Sequence, residues 1–295
     1  GGGTLHCLNR SVSAGAAILM AAPLGLSAAL VSLNGLSVRY SPEERAVARY
    51  AHLDQERSYR GGTCFIADYS DRYERSRCLP VRGDKPLVLL VGDSYAAHLW
   101  PGLSTLAGRY DLAQANLVGC TPVIYPGDDG KVCERFFRSI LTRWVPDNQP
   151  DAVLLAGRWH QRDLGLLRQT LADPRLAGTQ LILIGPPPQY TTALPRLLVA
   201  AERRDEPTLP ARFADPNVKI VDGELRRIAQ AAGVPYVSLV EKLCRQGSCR
   251  VWAQEGVPLQ FDDGHFSELG SKEIMHLVEP DLAPLIARGR ASRAR

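Results

Sequence analysis

Leu87-Val88-Leu89-Leu90-Val91-Gly92-Asp93-Ser94 is the stretch on which the fold is decided. Its five apolar residues, Leu87 to Val91, have the length of a strand buried on both faces, as in a parallel sheet. Gly92 and Asp93 allow a sharp turn, and Ser94 then opens a helix-like segment, Tyr95-Ala96-Ala97. Open α/β sheets carry their sites at the carboxyl ends of strands, and the N–H groups of a helix start favour a developing oxyanion. Serine is also a preferred N-cap, so this stretch alone reads Ser94 as a cap or as a nucleophile.

Downstream, apolar runs at Leu112 to Val118, Asp151 to Ala156, Gln180 to Gly185 and Pro235 to Leu239 read as further strands. Helical candidates lie between and after them, at about 132–145, 161–173, 222–232 and 268–287. This alternation predicts an α/β fold in three layers, a doubly wound parallel sheet with helices on both faces. No internal repeat interrupts it.

The 295 residues carry a formal charge of only +4, and Arg288, Arg290, Arg293 and Arg295 supply much of it, so the chain has no basic field of the kind that binds nucleic acid. Residues 290–295 read as a solvated basic tail. Six of the seven cysteines fall into local pairs, Cys64 with Cys78, Cys120 with Cys133 and Cys244 with Cys249, which predicts three disulfides and an oxidising compartment, with Cys7 left over. No spacing matches a zinc site, and Asp262, Asp263 and His265 have no companion ligand motif, so no metal is expected.

Between Arg10 and Arg39 there is no charge, and about Val12 to Leu33 is long and apolar enough to span a membrane. A signal peptide would have a shorter apolar core and a cleavage site, so a retained transmembrane helix is expected within residues 1–38. The opening Gly1-Gly2-Gly3 suggests a processed chain or a piece of a longer one. Ser41-Pro42-Glu43-Glu44 then marks a helix start with a capping box, and that helix is expected to run to Arg60 and stop at Gly61-Gly62. Residues 39–80 read as a helical linker with a loop-like end, and 81–289 as the α/β domain.

Near the end of that domain stands Phe261-Asp262-Asp263-Gly264-His265-Phe266-Ser267. Asp262 lies three residues before His265, so its carboxylate can orient the imidazole and leave the other ring nitrogen to take a proton from a serine. On its own the stretch also reads as a turn with an incidental histidine. His98, four residues after Ser94, reads as a packing residue, and His160 as a residue that could line a cleft.

Together, Gly92-Asp93-Ser94 and Asp262-Asp263-Gly264-His265 resemble the first and last blocks of the SGNH hydrolase superfamily. With the apolar span, the Gly35-Leu36-Ser37-Val38-Arg39-Tyr40 exit and the paired cysteines, the chain is similar to the SGNH domains fused to membrane-bound acyltransferase-3 proteins, which modify bacterial surface polysaccharides such as lipopolysaccharide O-antigen. The resemblance implies strand order 2-1-3-4-5, with Ser94 as nucleophile, His265 as general base and Asp262 as its orienting partner. It also implies an oxyanion hole. Gly119 matches the glycine of the second block, whereas Ala156-Gly157-Arg158-Trp159-His160 lacks the asparagine of the third. Arg158 or the indole N–H of Trp159 could replace that donor, or the backbone N–H groups of Ser94 and Gly119 could suffice.

The function so implied is transfer of an acyl group, acetyl above all, to a polysaccharide hydroxyl by a periplasmic domain at the bacterial inner membrane. No cofactor is expected to bind here directly; acetyl-CoA would be the ultimate donor, through an acyltransferase-3 membrane domain of the same parent chain. A carbohydrate esterase with the same triad and a non-catalytic glycan-binding module are the alternatives.

Overall fold

Strand β2, Leu87–Gly92, is buried at every residue and lies in the interior of the sheet. The computed structural model describes residues 39–293 except 53, 55–56 and 128–130, together with Pro23 and Ser27. In chain order the other sheet strands are β1 (Phe65–Ile66), β3 (Asp111–Leu117), β4 (Ala152–Ala156), β5 (Leu181–Ile184) and β6 (Tyr236–Val237). All pair in parallel, in the order β1-β3-β2-β4-β5-β6. The five strands read from the sequence thus keep the 2-1-3-4-5 order, and β1 extends the sheet at one edge.

Side chains alternate across the sheet, and the two sets enter two cores. Val88, Leu90, Leu154, Ile182 and Ile184 face one core with Leu194, Leu197 and Leu198 of the helix Leu194–Arg203 and Ile274, Met275, Val278, Leu282 and Ile286 of the helix Glu268–Arg293. Leu87, Leu89, Val91, Val153, Leu155 and Leu183 face the other, with Phe137, Ile140 and Leu141, Leu164 and Leu167, and Val221, Leu225 and Ile228. Each fully buried side chain of this size contributes about 1.5–3 kcal/mol, so this alternation places all three layers.

The structure corrects the expected extension at 39–80. The α-helix Pro42–Arg49 is followed by a 3₁₀ turn, Tyr50–His52, rather than continuing to Arg60. Arg60 instead adopts a left-handed φ of 65° and its carbonyl accepts the N–H groups of Cys64 and Phe65. Burial of Tyr59, whose hydroxyl donates to Phe266 O at 2.5 Å, outweighs helical propensity there. Within the first of the two contact units, Gly1–Ala46, the capping box is present: Glu44 N–H donates to Ser41 Oγ at 3.0 Å and Ser41 N–H to Glu44 Oε2 at 2.7 Å.

Three disulfides join Cys64–Cys78, Cys120–Cys133 and Cys244–Cys249. Cys7 lies outside the described residues, as does the expected span apart from Pro23 and Ser27. Among the described residues no helix is long and apolar enough to cross a membrane.

Residues 290–293 are not the solvated tail expected of them. The final helix continues to Arg293 despite Pro280 and Pro284, and Arg293 Nη2 lies 3.0 Å from Asp151 Oδ1, whose side chain is fully buried. Arg290 donates to Asp84 O at 2.9 Å. The contact is possible because Gly289 has no side chain: a Cβ there would lie 1.9 Å from Asp151 O. Gly289→Ala is therefore expected to lower the unfolding free energy by about 1–3 kcal/mol through overpacking, as read from denaturant midpoints, whereas an unchanged midpoint would mean that the helix end is not seated on β4.

Candidate active site

The turn after β2 depends on Gly92, whose φ is 157° and where a Cβ would lie 1.7 Å from Ala156 O of the neighbouring strand. Asp93 follows as the N-cap, its Oδ1 accepting the Tyr95 N–H at 2.8 Å, so the cap of the helix Ser94–Ala97 is Asp93 and not Ser94. That leaves the Ser94 hydroxyl for another partner. His265 Nε2 lies 2.8 Å from Ser94 Oγ, and His265 Nδ1 lies 2.7 Å from Asp262 Oδ2. The structure thus brings Ser94, His265 and Asp262 together across 171 residues of sequence.

Electrostatics set the direction of these bonds. Burial pushes the Asp262 carboxyl up, but the hydrogen bond from the His265 ring, the charge of that ring when protonated and the backbone N–H groups of His265 and Gly264 outweigh it and hold the group below the usual carboxylate range. An ionised Asp262 only accepts, so a ring proton stands on Nδ1 toward it, and in the neutral ring that tautomer leaves Nε2 to accept the Ser94 hydroxyl. The loop bearing both residues is pinned from several sides. Tyr190 N–H donates to Asp263 O at 2.8 Å, Leu194 N–H to Asp262 O at 2.9 Å, and the buried Gln260 side chain to Gly264 O at 2.9 Å.

His98 is fully buried, and burial followed by the nearby His265 charge holds its pKa well below the usual histidine value. Its Nδ1 accepts the Phe266 N–H at 3.3 Å, so it packs beneath the site as a neutral ring. The His265 ring is further enclosed by Tyr95, with centroids 4.4 Å apart, and by Phe261, stacked at 5.8 Å.

The residues read as further oxyanion donors fare differently. Gly119 is exposed two residues beyond β3, in the left-handed region at φ 65°. The structure corrects the reading of Trp159: it is 4% exposed, sits in the core, and its indole N–H donates to Ile184 O at 3.1 Å, so that proton is not available to a substrate. The backbone N–H of Arg158 is likewise engaged, donating to Asp93 Oδ2 at 2.9 Å. Its guanidinium is half exposed, lies over the Tyr95 ring at 5.6 Å and approaches Asp263 to 3.9 Å.

Asp93 is the site residue that sequence reasoning missed. Its carboxylate ties the Ser94 turn to the loop after β4, and only the acidic residue inside Gly-Asp-Ser signals it. Burial is the main effect on it, and although the N–H groups of Arg158 and Tyr95 pull the other way, its pKa is raised from 3.8 to about 6. Between those values the native state holds a proton that the unfolded chain has released, so this group makes stability fall as pH rises from about 4 to about 6. Comparison of the native chain with Asp93→Asn in urea titrations at several pH values should show the difference between them shifting by about 3 kcal/mol in favour of the variant across that window. A pH-independent difference would remove the assignment.

A family model described as SGNH domain (fused to AT3 domains) matches residues 55–280. Among solved structures, the chain is similar to the periplasmic domain of a Salmonella ser. Paratyphi A lipopolysaccharide acetyltransferase, with a TM-score of 0.68 and 20% identity over 80% of this chain and 97% of that one. A carbohydrate acetylesterase from Sinorhizobium meliloti aligns with a TM-score of 0.43 and 14% identity over 68% of this chain and 100% of that one. No curated protein sequence matches.

Proposed function

Since the chain belongs to the SGNH domains that occur fused to AT3 domains, we propose that it transfers an acyl group, acetyl above all, to a hydroxyl of a bacterial surface polysaccharide. The observation that carries this reading is the run of hydrogen bonds from Asp262 through His265 to Ser94, at 2.7 and 2.8 Å, at the carboxyl end of β2. In this mechanism Ser94 Oγ attacks the donor carbonyl and its proton passes to His265 Nε2, while Asp262 holds the tautomer and balances the imidazolium. The backbone N–H groups of Ser94 and Gly119 face the oxyanion, and the half-exposed Arg158 guanidinium adds positive charge at the rim. The acyl-enzyme then passes its group to the sugar.

The donor is delivered by an AT3 membrane domain of the same parent chain, with acetyl-CoA as the ultimate source on the other side of the bilayer, and this domain works in the periplasm at the inner membrane. The three disulfides support an oxidising compartment. The test supplies 4-nitrophenyl acetate as donor and the de-O-acetylated surface polysaccharide of the producing strain as acceptor. Ester on the polymer, detected by mass spectrometry, is the expected result. Free acetate with no polymer ester would replace the transferase by an esterase, and failure of a fluorophosphonate to label Ser94 would end both.

A further inference from the structure

Ser94 lies between two unlike flanks. On the β3 side, Ala67, Val118 and Phe261 are half buried against Tyr59, Phe65 and Ala97, and Phe261 stacks on His265. This flank is apolar. On the β4 and β5 side the surface opens into a cleft of about 280 Å³ whose lining includes Arg158, His160, Gln161, Gln189, Asp215 and Asn217.

The cleft continues the loops that hold the candidate active site. Arg158 is tied by its backbone to Asp93, next to Ser94, and its side chain leans toward Asp263 in the His265 loop. Gln189 O accepts the Asp215 N–H at 2.8 Å, and the adjacent Tyr190 N–H donates to Asp263 O at 2.8 Å. A group bound in the cleft therefore rests on the same loops that hold Ser94 and His265 in place.

Its chemistry suits a hydroxyl-rich ring. Each sugar hydroxyl both donates and accepts, and the lining offers donors only (Arg158), an acceptor (Asp215, whose Oδ1 already takes the Asn217 backbone and side-chain N–H groups, leaving Oδ2) and groups that do both (Gln161, Gln189 and the remaining amide capacity of Asn217). Burial, then the charge of Arg162, pushes the His160 ring below its usual pKa, so it too presents one donor and one acceptor. The volume is just under the range of about 300–1,000 Å³ that takes drug-sized ligands, which leaves space for about one pyranose unit.

We propose that this cleft is the subsite for the sugar unit that receives the acyl group, with Val118 and Phe261 facing the acyl chain; the assignment rests on the transferase reading above. The sugar hydroxyl oxygen bonds to the acyl carbon as its proton passes to His265 Nε2. The carbon–oxygen bond to Ser94 Oγ then breaks, and Oγ takes that proton back. Acetyl and hydrogen exchange places, and no further reactant is consumed.

The experiment uses the whole chain with the donor and polymer just described and reads the ratio of polymer-bound ester to free acetate. His160 and Asn217 are both exposed, so His160→Ala, Asn217→Ala and their combination are expected to fold. Each single change should lower the ratio about tenfold and raise the polymer concentration needed for half-maximal transfer, with a larger loss in the double variant. Gln161→Ala provides a third reading should the double variant melt early. A ratio within twofold of the parent in all of them, with the parent transferring normally, overturns the cleft and leaves the transferase standing. No polymer ester from the parent overturns the transferase, and the subsite with it.

Discussion

Replacing Ser94 with alanine is expected to lower acyl transfer by about 10⁴-fold or more while the fold is retained, because Ser94 is only partly buried and belongs to none of the hydrophobic cores. His265→Ala should cost a similar factor. Asp262→Asn should cost about 10⁴-fold, since an amide cannot balance the imidazolium and can hold the wrong tautomer. The informative measurement is the combination. If Oγ, Nε2 and the carboxylate act as one unit, Ser94→Ala/His265→Ala is no slower than either single variant. Losses that multiply, or transfer at the parental rate by Ser94→Ala, would show that the 2.8 Å contact between Ser94 and His265 is not the reacting pair.

The second large effect is on stability, at the opposite edge of the sheet. The Asp151 carboxylate is fully buried where β2 and β4 begin, and accepts the Leu87 N–H at 2.7 Å, Arg82 Nη1 at 2.8 Å, and Arg293 Nε at 3.1 Å. One side chain thus binds the start of the central strand, the segment before it and the end of the last helix. Asp151→Ala leaves the buried Leu87 N–H and the Arg293 guanidinium without this acceptor and strips Arg82 of its carboxylate, leaving it only the Asn148 and Gln149 carbonyls, and is expected to cost about 3–5 kcal/mol. In a domain of this size that lowers the melting temperature by roughly 10 °C, measurable by calorimetry. A loss below about 1 kcal/mol would mean that the arginines find water or other acceptors at no cost. Arg293→Ala should lose less, because Arg82 and the Leu87 N–H still satisfy the carboxylate.

What could be read from the residues alone was what is encoded locally. Leu87 to Ser94 and Asp262 to His265 each hold their whole signal within eight residues, so both the central strand and the two halves of the site were visible. Strand β1 was not, because Phe65–Ile66 is two residues long and exists through its pairing with Asn116 and Leu117. The helix Leu194–Arg203 was hidden by its own Pro195, which sits in the first turn, where proline is tolerated, but follows Pro186-Pro187-Pro188 and so reads as loop. Arg293 reads as a free surface charge until Asp151, 142 residues earlier, is placed beneath it. The partners of Trp159 and of the Arg158 N–H are of the same kind. Ile184 and Asp93 are neighbours only once the sheet is assembled, and no local pattern announces which donors the fold consumes.

The three disulfides join cysteines that are consecutive in the chain, at separations of 14, 13 and 5 residues. Each of these six cysteines therefore finds its native mate as the next or the previous one to emerge when the polypeptide is threaded from its amino end into an oxidising space. Counted from Cys64 onward, an oxidase that links thiols in order of appearance makes the correct set in a single pass, and the pairing of these six places no demand on disulfide shuffling.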